Sequence, residues 1–140
     1  MTPFRLFIIT QAKTIFGGEV TSVVAPGSEG YLGIWANHAP LVTALVPGKL
    51  TVKGMDDNET VYALSGGFLE VSRNVVTILA DAVEAPHEID YDRAKAAAER
   101  ARRRLDGSRE NVDVDRAEAA LKRALLRIRV SGRRLGSNAA

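Results

Sequence analysis

Four arginines, Arg93, Arg100, Arg123 and Arg127, stand at spacings that could assemble an anion site. Asp90, Arg93 and Arg100 fall on or near one flank of a helix, and Arg123 and Arg127 are i and i+4 on a second. If the two helices fold back on each other, the start of the first lies beside the end of the second. Arg93 and Arg100 then converge with Arg123 and Arg127. Guanidinium groups gathered at one point repel one another unless an anion joins them, and their planar forks suit phosphate oxygens. The same residues also fit a solvated basic face with acidic neighbours. Spacing alone leaves both readings open.

Other chemistry fails on spacing. Gly48-Lys49 has the end of a phosphate loop, but Thr43 stands where its first glycine is needed. No serine sits in a G-x-S-x-G elbow. His38 and His87 lie in separate turns with no second ligand at metal-binding spacing. Asp56-Asp57-Asn58-Glu59 lacks the ligand spacing of a calcium loop and reads as a solvated hairpin tip. There is no cysteine, hence no disulfide framework and no thiol chemistry. No metal site and no catalytic constellation emerge, and the chain reads as a non-enzyme.

The elements that must position the arginines begin where the chain changes character, at Ala85-Pro86-His87-Glu88. Residues 1–87 hold five Lys/Arg and eight Asp/Glu, net −3; residues 88–140 hold fourteen and nine, net +5. Two units with different partners are expected. In the first, short alternating runs at Phe4 to Ile9, Glu19 to Ala25, Tyr31 to Trp35, Leu41 to Val46, Leu50 to Val52, Thr60 to Leu64, Phe68 to Val71 and Val75 to Ala80 are separated by Gly, Pro, Asn and Asp clusters. That pattern predicts an antiparallel β-sandwich or barrel over 1–87.

In the second unit, 88–140, Asp90 is placed to cap a helix with Ala94, Ala97, Ala98, Ala101 and Leu105 on its apolar stripe. Asp106-Gly107-Ser108 ends it. Asp113 can cap a second helix, with Ala117, Ala120, Leu121, Ala124, Leu125 and Ile128 on its inner face. An antiparallel α-helical hairpin follows, so the fold class is mixed β + α. Its seam is mostly methyl groups, at about 0.8 kcal/mol per buried carbon, which predicts a hairpin close to opening. No signal peptide is legible, and no apolar run approaches the roughly 20 residues of a membrane span. Membrane association is expected only through a partner.

With these residues in view, the chain resembles the epsilon subunit of bacterial F-type ATP synthase over nearly its whole length. The resemblance rests on Gly27-Ser28-Glu29-Gly30-Tyr31-Leu32-Gly33-Ile34, Asn37-His38-Ala39-Pro40-Leu41-Val42, Ser65-Gly66-Gly67-Phe68-Leu69-Glu70-Val71 and Val76-Thr77-Ile78-Leu79-Ala80-Asp81. Ala120-Leu121-Lys122-Arg123-Ala124 and Arg127-Ile128-Arg129-Val130 extend it to the second helix. It implies a sandwich followed by a helical hairpin, in a central-stalk rotor subunit at the cytoplasmic face of the cell membrane. The implied partners are gamma and the c-ring, with Glu29, Tyr31 and His38 in the contact turns. Tyr31 departs from the acidic residue common at that position. The hairpin is implied to extend from the sandwich into the alpha/beta catalytic head and block ATP hydrolysis.

Some members of that family bind ATP on the closed hairpin through an I/L-D-x-x-R-A motif, matched here by Ile89-Asp90-Tyr91-Asp92-Arg93-Ala94. Glu84, Arg100, Arg123 and Arg127 fall where such members have further nucleotide contacts. The resemblance therefore implies ATP as a regulatory ligand and no required cofactor. Ile89 would pack on adenine, the segment around Asp90 would read its edge, and the arginines would hold phosphates. The competing class is a nucleic-acid-binding module, motivated by Arg102-Arg103-Arg104 and the basic stretch from Arg129 to Arg134. Interleaved acids and the lack of flanking aromatics for base stacking weigh against it. A catalytic ATPase would need a phosphate loop and a magnesium-holding carboxylate, which the sequence lacks.

Overall fold

The computed structural model describes residues 1–107 and 113–132. Ser108 and the last two arginines of the basic stretch, Arg133 and Arg134, lie outside them. The chain divides into two compact units, Met1–Glu84 and a second from Ala85 onward.

Nine strands make the first unit: β1 (Phe4–Ile9), β2 (Thr14–Gly27), β3 (Gly30–Ile34), β4 (Leu41–Leu45), β5 (Gly48–Gly54), β6 (Glu59–Leu64), β7 (Gly67–Ser72), β8 (Val75–Ala80) and β9 (Val83–Glu84). Their order is β1-β8-β7-β4-β2-β5-β6-β9, with β3 on β2 and a further β1–β2 pairing. Strand β2 serves both layers. Its first half pairs β1 from Thr14 to Val20, and its second half pairs β5 and β3. A register shift between Val20 and Ser22 marks the corner, as a bulge does when a strand passes between sheets. It also breaks the simple alternation expected from Glu19 to Ala25, leaving Val20 and Thr21 both buried. The buried Thr21 hydroxyl is satisfied by donating toward the Lys53 and Gly54 carbonyls at 3.3 and 3.4 Å.

The sandwich is not wholly antiparallel. Strand β1 pairs β8 in parallel, from Arg5↔Val75 to Ile9↔Leu79. A parallel pair needs a long connection, and here β2 to β7 supply it. Leu6, Ile8, Val20, Val23, Ile34, Leu50, Leu64, Leu69, Val76 and Ile78 are fully enclosed between the layers. Within each strand they fall on one alternating face, except in β2, where the register shift brings both Val20 and Val23 inward.

Gly67 is fixed by its surroundings. Its φ is +141°, and a Cβ there would meet the Leu79 carbonyl oxygen and the Ala80 Cα. Gly67→Ala should therefore lower the stability of the sandwich by about 2–4 kcal/mol, combining backbone strain with a clash against backbone. Urea denaturation of the two proteins measures this, and an unchanged midpoint would contradict it.

The second unit opens with a 3-10 turn, Pro86–Glu88, in which the Ala85 N–H donates to Glu88 Oε1 at 2.9 Å. Helices α1 (Tyr91–Asp106) and α2 (Val114–Val130) follow. Both caps read from the sequence are formed. The Arg93 N–H donates to Asp90 Oδ1 and the Arg116 N–H to Asp113 Oδ1, each at 3.0 Å. Gly107 closes α1 with extended dihedrals (φ −85°, ψ −164°), not with a left-handed glycine cap.

Tyr91, Ala94 and Ala98 from the first half of α1 share one buried cluster with Ala124 and Ile128 from the second half of α2. The helices are thus antiparallel, with small residues letting their axes approach. Ala97, Leu121 and Leu125 border the cluster only half-buried. Tyr91 and Ile128 make one end of the seam bulkier than the alanine stripe implied. Leu126 and Val130 are buried as well, outside the stripe read from the sequence.

Candidate functional site

The α1–α2 pair carries the arginine group. At 3.6 residues per turn, Arg93 and Arg100 lie on one flank of the seam face defined by Ala94, Ala98 and Ala101. Arg123 and Arg127 lie on the flank of the face defined by Ala117, Ala124 and Ile128. When two right-handed helices face each other antiparallel, flanks reached by rotating in the same sense lie on the same side of the pair. Both arginine flanks are reached in the same sense, so the four residues line one edge of the hairpin. Arg93, Arg100 and Arg123 are exposed, and Arg127 is half-buried. The edge presents several guanidinium forks, the donor type that phosphate oxygens accept from most readily.

The rest of the motif plays structural parts. One carboxylate oxygen of Asp90 is occupied as the α1 cap, so its second oxygen is the one left for another group. Ile89 is buried, which leaves little of its side chain for a base to cover. Ala94 has no exposed surface. In this arrangement its side chain closes the seam. Glu84 ends β9, opposite Ala63, in the first unit. Among the described residues no group of three or more His, Cys, Asp or Glu could hold a metal ion.

The sandwich carries the other candidates, Glu29, Tyr31 and His38. Glu29 is exposed in the β2–β3 turn. That turn is bound to the far end of β4 through Ser28 N–H donating to the Ala44 carbonyl at 3.2 Å and Val46 N–H to the Pro26 carbonyl at 2.9 Å. Tyr31 is 59% exposed, yet its hydroxyl accepts a hydrogen bond from the Lys49 N–H at 3.1 Å. A Cβ on Gly48 would lie 2.9 Å from that hydroxyl. The phenol therefore ties the turn to the start of β5, a tether that a carboxylate in its place, with its shorter side chain, would not reproduce.

His38 sits at the opposite end of β4, in the loop from β3, with Nδ1 2.7 Å from the Ala39 carbonyl oxygen. That contact requires the proton on Nδ1. Strand β4 is five residues long, so the two turns stand about 14 Å or more apart at a rise of about 3.4 Å per residue. They do not form one contact point.

Between them lies a feature that alternation concealed. Ala44, Phe68, Leu79 and Ile9 occupy one register row across β4, β7, β8 and β1, on the outer face. Val42, Glu70, Thr77 and Phe7 form the next row. Val42 is 72% exposed, Phe68 57% and Leu79 53%. The first row is apolar throughout, while Glu70 and Thr77 interrupt the second; an exposed apolar row of this kind is a candidate interaction surface. The signal was in the sequence, in strands that are apolar on both faces.

Comparison with known proteins follows the same division. Residues 3–86 match the family model for the ATP synthase delta/epsilon chain β-sandwich domain. Residues 87–132 match that for the ATP synthase delta/epsilon chain long α-helix domain. The ATP synthase epsilon chain of Syntrophomonas wolfei is 45% identical over 132 residues, spanning 94% of this chain and 96% of its own. That of Protochlamydia amoebophila is 42% identical over 109 residues, spanning 78% and 74%. Among solved structures, a chain of the Euglena gracilis mitochondrial ATP synthase OSCP/F1/c-ring assembly superimposes with a TM-score of 0.70 at 25% identity, covering 94% of this chain and 79% of that one.

Proposed function

Since the chain belongs to the ATP synthase delta/epsilon chain family, we propose that it joins gamma to the c-ring in the central stalk and restrains ATP hydrolysis through its hairpin. It is a non-catalytic epsilon-type subunit of the complex. No helix among the described residues is long and apolar enough to cross a membrane. In this reading the subunit is held at the cytoplasmic face of the cell membrane by its partners alone. The two separated turns of the sandwich suit two partners. The Glu29–Tyr31 end meets the ring, and the apolar face with His38 at its margin takes gamma.

The observation that carries the regulatory half is the packing of the first half of α1 on the second half of α2. It places Arg93, Arg100, Arg123 and Arg127 on one edge of the closed hairpin only. An ATP phosphate chain bound there would offset their mutual repulsion and favour closure. A ligand restricted to the closed form stabilises it by about 2.7 kcal/mol at a hundredfold excess over Kd. The hairpin would then stay folded when ATP is plentiful and extend toward the catalytic head when ATP falls. The second oxygen of Asp90 and the edge of Ile89 are the remaining groups of the hairpin unit that the nucleotide would meet.

Calorimetry with ATP on the full chain tests this. Arg93→Ala and Arg100→Ala, both at exposed positions, should each weaken binding by about 1.5–3 kcal/mol, more than tenfold. No heat from the wild-type protein at excess ATP, or equal affinity in both variants, would reduce the edge to a solvated basic face. Tight, steeply salt-dependent binding to random duplex without affinity for gamma would favour the nucleic-acid reading instead.

A further inference from the structure

We infer that Asn74 is the positioning residue of the turn that carries His38, a role that rests on reading this turn as a rotor contact. Asn74 is the second residue of the two-residue β7–β8 turn, where Arg73 and Asn74 have φ of 51° and 62°. Asparagine tolerates that left-handed conformation better than most residues. Its carboxamide then reaches two other segments. Oδ1 accepts from the Asn37 N–H at 2.7 Å, and Nδ2 donates to the Pro3 carbonyl at 3.4 Å. Its own carbonyl accepts from the Arg5 N–H at 3.3 Å. The amide orientation is fixed by these partners, because the flipped group would set N–H against N–H and oxygen against oxygen.

One residue thus joins the β7–β8 turn, the entry to β1 and the loop from β3. The bond to Asn37 matters most for function. Asn37 itself is left-handed, with φ of 62°, and the next residue is His38. Nothing in regular structure holds this turn, since it lies between β3 and β4. The short bond from Asn74 fixes its backbone, and with it the direction in which His38 and its Nδ1–Ala39 contact are presented. A partner then meets a preformed turn and pays less ordering entropy on binding.

The test uses the full chain with Asn74→Gly and Asn74→Asp. Glycine keeps the left-handed backbone and the hairpin but removes both side-chain bonds. Aspartate keeps an acceptor for the Asn37 N–H but turns an oxygen toward the Pro3 carbonyl in place of the donor, so of the two side-chain bonds only the one to Asn37 is retained. Amide hydrogen exchange at Asn37, read by NMR, should be about tenfold faster in Asn74→Gly and near wild type in Asn74→Asp, as expected for a bond worth about 1–1.5 kcal/mol. Amides in the centre of β7 and β8 should be unchanged in both. Equal Asn37 exchange in all three proteins overturns the inference. Gamma affinity should fall about tenfold in Asn74→Gly and recover in Asn74→Asp. Faster Asn37 exchange with unchanged binding to both gamma and the c-ring leaves the latch in place and overturns the reading of the turn as a contact.

Discussion

A sandwich carrying both Phe68→Asp and Leu79→Asp should fold normally and fail to hold gamma. Both side chains stand on the outer face, more than half exposed, and neither fills the space between the layers. Two aspartates facing each other across a strand pair cost the sandwich about 1–2 kcal/mol, a fraction of a domain's stability. On a docked face they would be central. Phe68 and Leu79 are directly paired across β7 and β8, in the middle of the row that runs from Ala44 to Ile9. A buried aromatic anchor at the centre of an interface is worth about 2 kcal/mol or more. Two carboxylates in its place would be desolvated without partners. Because the residues touch, their effects will not simply add. The expected loss is still about a hundredfold or more in gamma affinity. Met55→Asp, at the exposed β5–β6 tip, is the matched control and should bind as wild type. Full gamma binding by the folded double variant would move the docking surface elsewhere.

That face also explains what could and could not be read from the sequence. Alternation identifies strands and pairs residues by face, and it located β1 and β8 to the residue. It cannot say which face is buried when both are apolar. Gly67-Phe68-Leu69 and Ile78-Leu79-Ala80 offer a hydrophobic residue in each direction, and only the sheet pairing assigns Leu69 and Ile78 inward. Strand β2 extends beyond the Glu19–Ala25 alternation for a related reason. Gly17 and Gly18 weaken the strand signal, yet Gly17 sits opposite Phe7, whose ring would lie 3.3 Å from any Cβ there. The parallel β1–β8 pair and the Asn74–Asn37 bond join residues distant in sequence, and no local pattern encodes them. Helix caps are the opposite case. Asp90 and Asp113 act on their own N-terminal turns, so a local rule sufficed.

Removing residues 88–140 should raise ATP hydrolysis by the assembled complex and leave rotation coupled to the ring. The sandwich has its own enclosed core and forms a compact unit that ends at Glu84, so its contacts do not require the helices. The seam within the hairpin is small. Three alanines and the Tyr91 and Ile128 side chains form its buried cluster. At about 0.8 kcal/mol per methyl and about 1.5–3 kcal/mol per larger side chain, this cluster gains about 5–8 kcal/mol gross; Ala101, Ala117 and the half-buried Ala97, Leu121 and Leu125 add to it, and the entropy of ordering the helices opposes the sum. A partner offering acidic groups to a segment of net charge +5 can outweigh what remains. Where nine-tenths of the complexes hold the extended, blocking form, truncation raises the rate about tenfold. Excess ATP should speed the intact complex beyond its effect as substrate, and that extra activation should vanish on truncation. If the nucleotide binds only the closed hairpin and the catalytic head only the extended one, linkage sets the two in opposition. A complex carrying Arg93→Ala should therefore stay inhibited at ATP concentrations that release the wild type. Equal hydrolysis with and without residues 88–140, across the full range of ATP, would leave the helices without a regulatory role.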